Sequence, residues 1–465
     1  MASLEEELRK QSQWKSLGKR QGVKGVELVH AEFSEFNKME AVHSQKLGAL
    51  IAFAKAQVPF YKETMERLPA ELWLEEEEWL SLPVVGKELL LEREKDLIPR
   101  ALPKGHRALG YIQSSGTTGR PTKVLHSQRN SLIFSHLKQR EYRWYGWNPS
   151  SRLAIIRLPS QLPKPKRQPI QIGQTLQGKS WPNVGSLFQT GPFFGFGVTN
   201  PIEEQVKWLE AINPDYLLSY AESLEHLSFA MDAPYGGSQL KGLQSISETM
   251  TMDMRERVTR NFPVPLNQNY GLNELGLVAS RCPEGGRYHV HHEFFHLEII
   301  REDGRLCQPG ERGKILVTDL SNLAMPLIRY DTDDLAVATD QECPCGRTLP
   351  CFGEVVGRYS RIAHLPPETL TRVGLLREAL SHCPENLIRP LRRFQIVQRK
   401  EGSFTLKVQG VEKFSQDFNV YLERLWQREA GEAQPLLIEE VDQLEAGPGG
   451  KFQDFISEFQ PPLEA

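Results

Sequence analysis

The chain has 465 residues, 39% of them hydrophobic and 25% charged, with a formal net charge of -3. That length predicts two or three domains of a soluble globular protein, and the near-neutral balance offers no basic field for nucleic acid. The start MASLEEELRKQ lacks the apolar segment of a signal peptide, and no run approaches the roughly 20 apolar residues of a membrane helix. The expectation is a cytoplasmic protein without nucleic-acid or membrane partners.

Residues 1–105 read as a helical start. Leu47, Leu50, Ile51 and Ala54 share one helical face, and Pro59 closes that helix. Glu75 to Glu78, set between Trp73 and Trp79, form a solvated helix face. From Tyr111 the pattern is mixed. Short apolar runs such as Leu153–Ile156 and Tyr216–Leu218 alternate with helical stretches, as in α/β packing. Pro163 to Pro169 reads as a surface loop, and Ile315, Leu316 and Val317 as a strand. Phe193–Phe194–Gly195–Phe196–Gly197 reads either as an aromatic core segment or as the wall of a pocket.

In the tail, Phe404, Leu406 and Val408 alternate as a half-buried strand after a turn at Gly402. Phe414, Phe418, Tyr421, Leu422 and Leu425 recur at helical spacing, and Leu436 to Val441 forms another strand. The prediction is an α/β fold with mixed sheets in a large N-terminal domain, residues 1–357, and a small α+β C-terminal lid, residues 358–465.

The strongest local signal is Ser114–Ser115–Gly116–Thr117–Thr118–Gly119, which follows Tyr111–Ile112–Gln113. Hydroxyls and glycines that let backbone N–H groups turn outward form a cradle for phosphate oxygens. It is not the P-loop of NTPases, because no Gly-Lys-Ser/Thr follows at the required spacing. Downstream, Asn269–Tyr270–Gly271–Leu272–Asn273–Glu274 sets a ring, a glycine and a carboxylate within reach of one nucleotide, with the carboxylate suited to Mg²⁺.

Six cysteines are present, none before Cys282. In a large chain of this kind, clustered thiols suggest a metal rather than disulfides. Cys343 and Cys345, with Cys282 and His289, make three thiolates and one imidazole, the closed donor set of a structural zinc in a subregion spanning 280–350. His291 and His292 compete with His289, and Cys351 is a substitute ligand.

Ser114 to Thr122 resembles the phosphate-loop signature of adenylate-forming enzymes, and the cysteine pattern is similar to that of their phenylacetate–CoA ligase-like branch. The resemblance implies ATP bound by Ser114, Ser115, Gly116, Thr117, Thr118 and Gly119, with Thr117 assisting catalysis. It also implies Tyr270 on adenine, Glu274 on magnesium, and Asn269, Gly271 and Asn273 beside the nucleotide. Asn273 stands where the family has Thr or Ser. Ser247–Glu248–Thr249 is similar to the adenine-side segment, which assigns Glu248. Ile328 to Leu335 is similar to Arg-Tyr-x-Thr-x-Asp, which assigns Asp334 to the ribose hydroxyls, while Asp331 and Asp333 read as solvated loop acids. Gly357–Arg358 matches the residues before the domain hinge. Lys451, in Gly449–Gly450–Lys451–Phe452, matches the lysine that meets charge between carboxylate and α-phosphate.

The implied activity joins a carboxylic acid, aromatic acids among the candidates, to AMP and then transfers the acyl group to CoA. After Arg358 the sequence departs from the family's acidic hinge and glycine-rich segment, so thioester formation is expected to be slow or absent relative to adenylation. The alternatives are transfer to an amine, alcohol or carrier protein, AMP transfer to a cofactor, and a non-catalytic zinc-stapled scaffold with a nucleotide cleft. A homodimer is a further expectation. Acid-dependent ATP–pyrophosphate exchange separates the enzymes from the scaffold.

Overall fold

The computed structural model describes residues 5–7, 9–10, 29–66, 76–113, 122–163, 170–185, 187–231, 234–235, 239–358, 383–388, 390–410, 413–430, 436–444 and 455–458. They fall into two units. The first comprises Met1–Ser151, Lys179–Pro192 and Asn267–Arg358; the second comprises Arg152–Gly178, Phe193–Leu266 and Tyr359–Ala465. One division thus falls between Arg358 and Tyr359, and the tail groups with two middle segments.

The first unit opens with helix α1 (Phe36–Gln57), which buries Leu50, Ile51 and Ala54. Val58 is extended, as a residue before proline prefers, and α2 (Pro59–Thr64) starts with its proline where no N–H is needed. In α3 (Glu76–Leu80) only Trp79 is buried; Glu76 and Glu77 face solvent as expected, Glu78 is half-buried, and Glu75 lies outside the described residues. After α4 (Lys87–Glu92), strands β1 (Ala108–Gln113) and β2 (Lys123–Ser127) form an antiparallel pair. Helix α5 (Gln128–Trp144) follows at once, its N-terminus capped by Ser127 and Asn130.

The middle of the second unit is a largely parallel sheet. It contains β3 (Leu153–Arg157), β4 (Leu176–Gly178), β5 (Phe193–Gly197), β6 (Tyr216–Tyr220) and β7 (Gly242–Ile246), in the order β7–β6–β3–β5–β4. Only β4 runs antiparallel to its neighbour. Helices α6 (Ile202–Ile212), α7 (Ala221–Ala230) and α8 (Met252–Asn261) supply Leu209, Leu224, Leu227 and Val258 to a core with Ala154, Ile156, Leu217 and Leu243. Phe196 stacks on Trp208 at 5.0 Å, so the core reading of that aromatic segment holds for this ring.

The first unit resumes with eight antiparallel strands in two sheets. One orders β14 (Cys351–Phe352), β10 (Tyr288–Val290), β9 (Gly276–Arg281) and β8 (Leu266–Leu272). The other orders β11 (Phe295–Ile300), β12 (Arg312–Asp319), β13 (Tyr330–Val337) and β15 (Val355–Arg358). Ile315, Leu316 and Val317 are all fully buried, which fits a strand covered on both faces.

The tail holds α9 (Glu385–Ile388), β16 (Leu391–Gln398), β17 (Phe404–Gly410), α10 (Gln416–Ala430), β18 (Leu436–Glu440) and β19 (Phe455–Ser457). Its sheet runs β18–β17–β16–β19. The expected strand, helix and strand are therefore present as β17, α10 and β18, joined by β16 and by an edge strand, β19, that lies parallel to β16. Within this unit Phe229 of α7 packs edge-on against Phe394 of β16 at 6.2 Å.

Candidate active site

Elements from opposite ends of the first unit meet around Glu274. The carboxylate is 8% exposed, and its Oε1 accepts from the Thr122 hydroxyl at 3.3 Å and the Tyr330 phenol at 3.4 Å. His126 Nε2 lies 3.0 Å from the Glu274 carbonyl, and Asn273 Nδ2 donates to the Gln113 carbonyl at 3.1 Å. Gln113 and Thr122, the described residues on either side of the hydroxyl-rich segment, thus contact Asn273 and Glu274. Ser114, Ser115, Gly116, Thr117, Thr118 and Gly119 themselves lie outside the described residues, as does Lys451.

Tyr270 and Asp334, predicted to meet adenine and ribose, are joined directly. The Tyr270 hydroxyl donates to Asp334 Oδ2 at 3.0 Å. The Tyr270 ring is buried and edge-on to Phe352 at 6.0 Å. Burial first, then the charge of Asp334, hold the phenol well above its ordinary pKa, so it stays a neutral donor. Asp334 lies opposite Arg358, the residue that closes β15. Tyr330 is bracketed by two residues with left-handed backbone, Arg329 at φ 50° and Asp333 at φ 63°. Such outliers are retained where surrounding structure over-determines them, often at functional sites.

Other motif residues have structural tasks here. Arg329 is buried, pairs with Glu298 at 3.1 Å and donates to the carbonyls of Leu80 and Leu82. Asn269 Nδ2 donates to Glu141 at 2.8 Å. A Cβ on Gly271 would stand 2.4 Å from the Gly276 carbonyl, so the glycine permits the close β8–β9 turn. Asp331 is half-buried beside Lys314 at 3.6 Å, not freely solvated. Glu248 belongs to the second unit, where it accepts from the Glu222 amide at 3.2 Å.

Cys282, His289, Cys343 and Cys345 are all buried, with their donor atoms within 4.8 Å of one another. His289 Nδ1 faces the Leu349 carbonyl at 3.0 Å, leaving Nε2 toward Cys345 Sγ at 3.3 Å. The Gly285 amide donates to Cys282 Sγ and the Arg347 amide to Cys345 Sγ, each at 3.4 Å. Hydrogen bonding from the Cys282 thiol, then His289 and the Arg347 amide, hold the Cys345 thiol far below its ordinary range. A Cβ on Gly285 would fall 2.2 Å from Cys343 Sγ, so the loop closes only around glycine. This donor set fits a tetrahedral ion.

The competing histidines have other partners. His291 faces Arg140 at 3.0 Å and Ser280 at 3.2 Å, whereas His292 faces Glu40 at 3.1 Å. Cys351 packs against the thiol cluster. The sequence did not foretell the role of Arg347, which pairs with Glu7 at 3.3 Å and Glu32 at 3.6 Å and lies over Trp144. These acids come from the far N-terminus, and no local spacing signals them.

A buried glutamate bonded to Thr122, beside a tyrosine and an aspartate hydrogen-bonded to each other, is the arrangement expected of an adenylate-forming enzyme. The comparisons agree. The chain is 26% identical over 404 residues to a phenylacetate–coenzyme A ligase of Thermus thermophilus, spanning 81% of this chain and 82% of that one. It is 25% identical to the enzyme of that name from Escherichia coli, spanning 73% and 74%. A fumarate–(S)-2,3-diaminopropanoate ligase of Enterobacter agglomerans is 21% identical, spanning 66% and 72%. In fold, the chain matches a 2-hydroxyisobutyryl-CoA ligase in its postadenylation state with TM-score 0.70 at 18% identity, over 92% and 91% of the two chains. No family model matches. The chain is thus similar in sequence to phenylacetate–CoA ligases and in fold to a CoA ligase that carries an acyl-adenylate.

Proposed function

We propose that the protein activates a carboxylic acid with ATP, releases pyrophosphate, and passes the acyl group to CoA. The carrying observation is the Tyr270–Asp334 hydrogen bond beside Glu274, where residues from two distant motifs meet at the root of the phosphate loop. The relatives named as CoA ligases, and a structural neighbour bound to an acyl-adenylate, support this reading.

In the first step a carboxylate oxygen attacks the α-phosphorus in line, and the bond to the β-phosphate oxygen breaks as pyrophosphate leaves. No protein nucleophile takes part; binding, alignment and charge neutralisation lower the barrier. Ser114 to Gly119 would hold the phosphates, Tyr270 the base and Asp334 the ribose, while Lys451 on a C-terminal lid meets the charge that develops between carboxylate and phosphate. Glu274 would hold Mg²⁺, which neutralises phosphate charge when bound. Cys282, His289, Cys343 and Cys345 would hold a structural zinc, because four protein ligands leave no open position. In the second step the CoA sulfur attacks the acyl carbon and AMP departs.

Among the described residues no helix is long and apolar enough to cross a membrane. A cytoplasmic location and a homodimer remain parts of the proposal, tested by cell fractionation and sedimentation.

The deciding experiment is acid-dependent ATP–pyrophosphate exchange across an acid library, followed by detection of acyl-CoA. Absence of exchange with every acid tested supports the scaffold reading and overturns this one. The diaminopropanoate ligase relative favours one second reading, transfer to an amine. Exchange without acyl-CoA, but with amide formed from an amine library, would select it.

A further inference from the structure

A second cluster of metal-binding side chains lies in the first unit, built from residues that take no part in the site above. Glu40 and His43 stand three apart on α1, so both project from one helical face. His292 and His296 stand four apart, one before the start of β11 and one within it. Donor atoms of Glu40, His43 and His292 lie within 4.8 Å of one another. His292 Nε2 is 3.1 Å from Glu40 Oε2, and His43 Nε2 is 3.1 Å from His296 Nδ1.

The hydrogen bonding resembles that of a metal site. His43 Nδ1 donates to the His292 carbonyl at 2.7 Å, which leaves the Nε2 lone pair toward the cluster. His289 has the same relation to the Leu349 carbonyl in the thiol cluster. A ligating histidine ordinarily gives its second ring nitrogen to such an acceptor. A tetrahedron with metal–ligand bonds of about 2.0–2.1 Å has edges of about 3.3–3.4 Å, so the two 3.1 Å separations need to open only slightly around an ion.

His43 and His292 are buried, and the Glu40 side chain is 41% exposed, so an ion has an entry path at the carboxylate. The rings of His43 and His292 stack at 3.5 Å, so binding requires them to splay slightly. His292–Glu293–Phe294–Phe295–His296 has the spacing of a metalloprotease helix, yet it forms a turn entering a strand. Glu293 is committed to Arg140, so it supplies no general base and a hydrolytic role is excluded.

We infer that Glu40, His43 and His292, with His296 beside His43 as a fourth donor, form a site for a borderline divalent transition metal, of the zinc, cobalt or nickel class. Imidazole and carboxylate donors suit such ions. The site joins helix α1 to a segment 249 residues later and staples the N-terminal helix to the sheet.

Equilibrium binding of Co²⁺ to the chelator-stripped full chain tests this. The His43→Ala/His296→Ala double variant should bind one equivalent fewer than wild type, with its thiolate-to-cobalt charge-transfer band intact. Glu40→Gln, a milder change, should weaken that same equivalent by at least about tenfold. The intact thiolate band reports that the double variant is folded. Equal stoichiometry in wild type and double variant, or unchanged affinity in both variants, overturns the site.

Discussion

Replacing Tyr270 by Phe isolates the contact that links the two nucleotide motifs. The change keeps the ring and deletes only the hydroxyl that donates to Asp334 at 3.0 Å. A hydrogen bond to a charged group contributes about 1.5–3 kcal/mol, and Asp334 is half-buried, so water replaces part of it. A loss of about 1.4 kcal/mol is tenfold in affinity. ATP should therefore bind Tyr270→Phe roughly tenfold more weakly, because Asp334 is no longer oriented toward the ribose. Titration calorimetry with ATP and magnesium measures it, and Asp334→Ala should lose more. A thermal melt separates the alternatives. A variant that melts lower but binds ATP like wild type would refute the positioning role and leave the contact purely structural.

Lys451→Ala should slow acid-dependent exchange by about 10²–10³-fold, the cost of one preorganised charge stabiliser, while ATP affinity changes little. Exchange at the wild-type rate would remove this lysine from the adenylation step. Gly285→Ala forces a Cβ to within 2.2 Å of Cys343 Sγ, so zinc competition should show weaker thiolate-bound metal, and Cys345→Ser should lose that metal. Arg329→Met strands Glu298 in a pair whose side chains are each 2% exposed, a loss of about 3–5 kcal/mol readable by urea denaturation. The departure after Arg358 predicts acyl-CoA formation slower than adenylation in single-turnover assays. Rapid stoichiometric acyl-CoA from the native acid would contradict it.

Local chemistry by itself made several features legible. Leu50, Ile51 and Ala54 announce a helix because the apolar spacing has its period, and Phe404, Leu406 and Val408 announce a strand for the same reason. Tyr270, Glu274 and Asp334 stand in short motifs whose order points to one nucleotide. The four clustered donors Cys282, His289, Cys343 and Cys345 are also visible as residue types, but not their selection. His289, rather than His291 or His292, joins the thiols: its Nδ1 is held by the Leu349 carbonyl and its Nε2 faces Cys345, while Arg140 and Glu40 face the others.

Tertiary structure alone decided the rest. Arg329 reads as a nucleotide-motif residue, yet its charge is spent on Glu298 and two carbonyls, because a buried guanidinium must find partners wherever packing brings them. The role of Arg347 rests on Glu7 and Glu32, and the second histidine cluster rests on α1 meeting the start of β11. Such meetings arise from contacts hundreds of residues apart, whereas sequence spacing encodes geometry only within one helix, strand or turn.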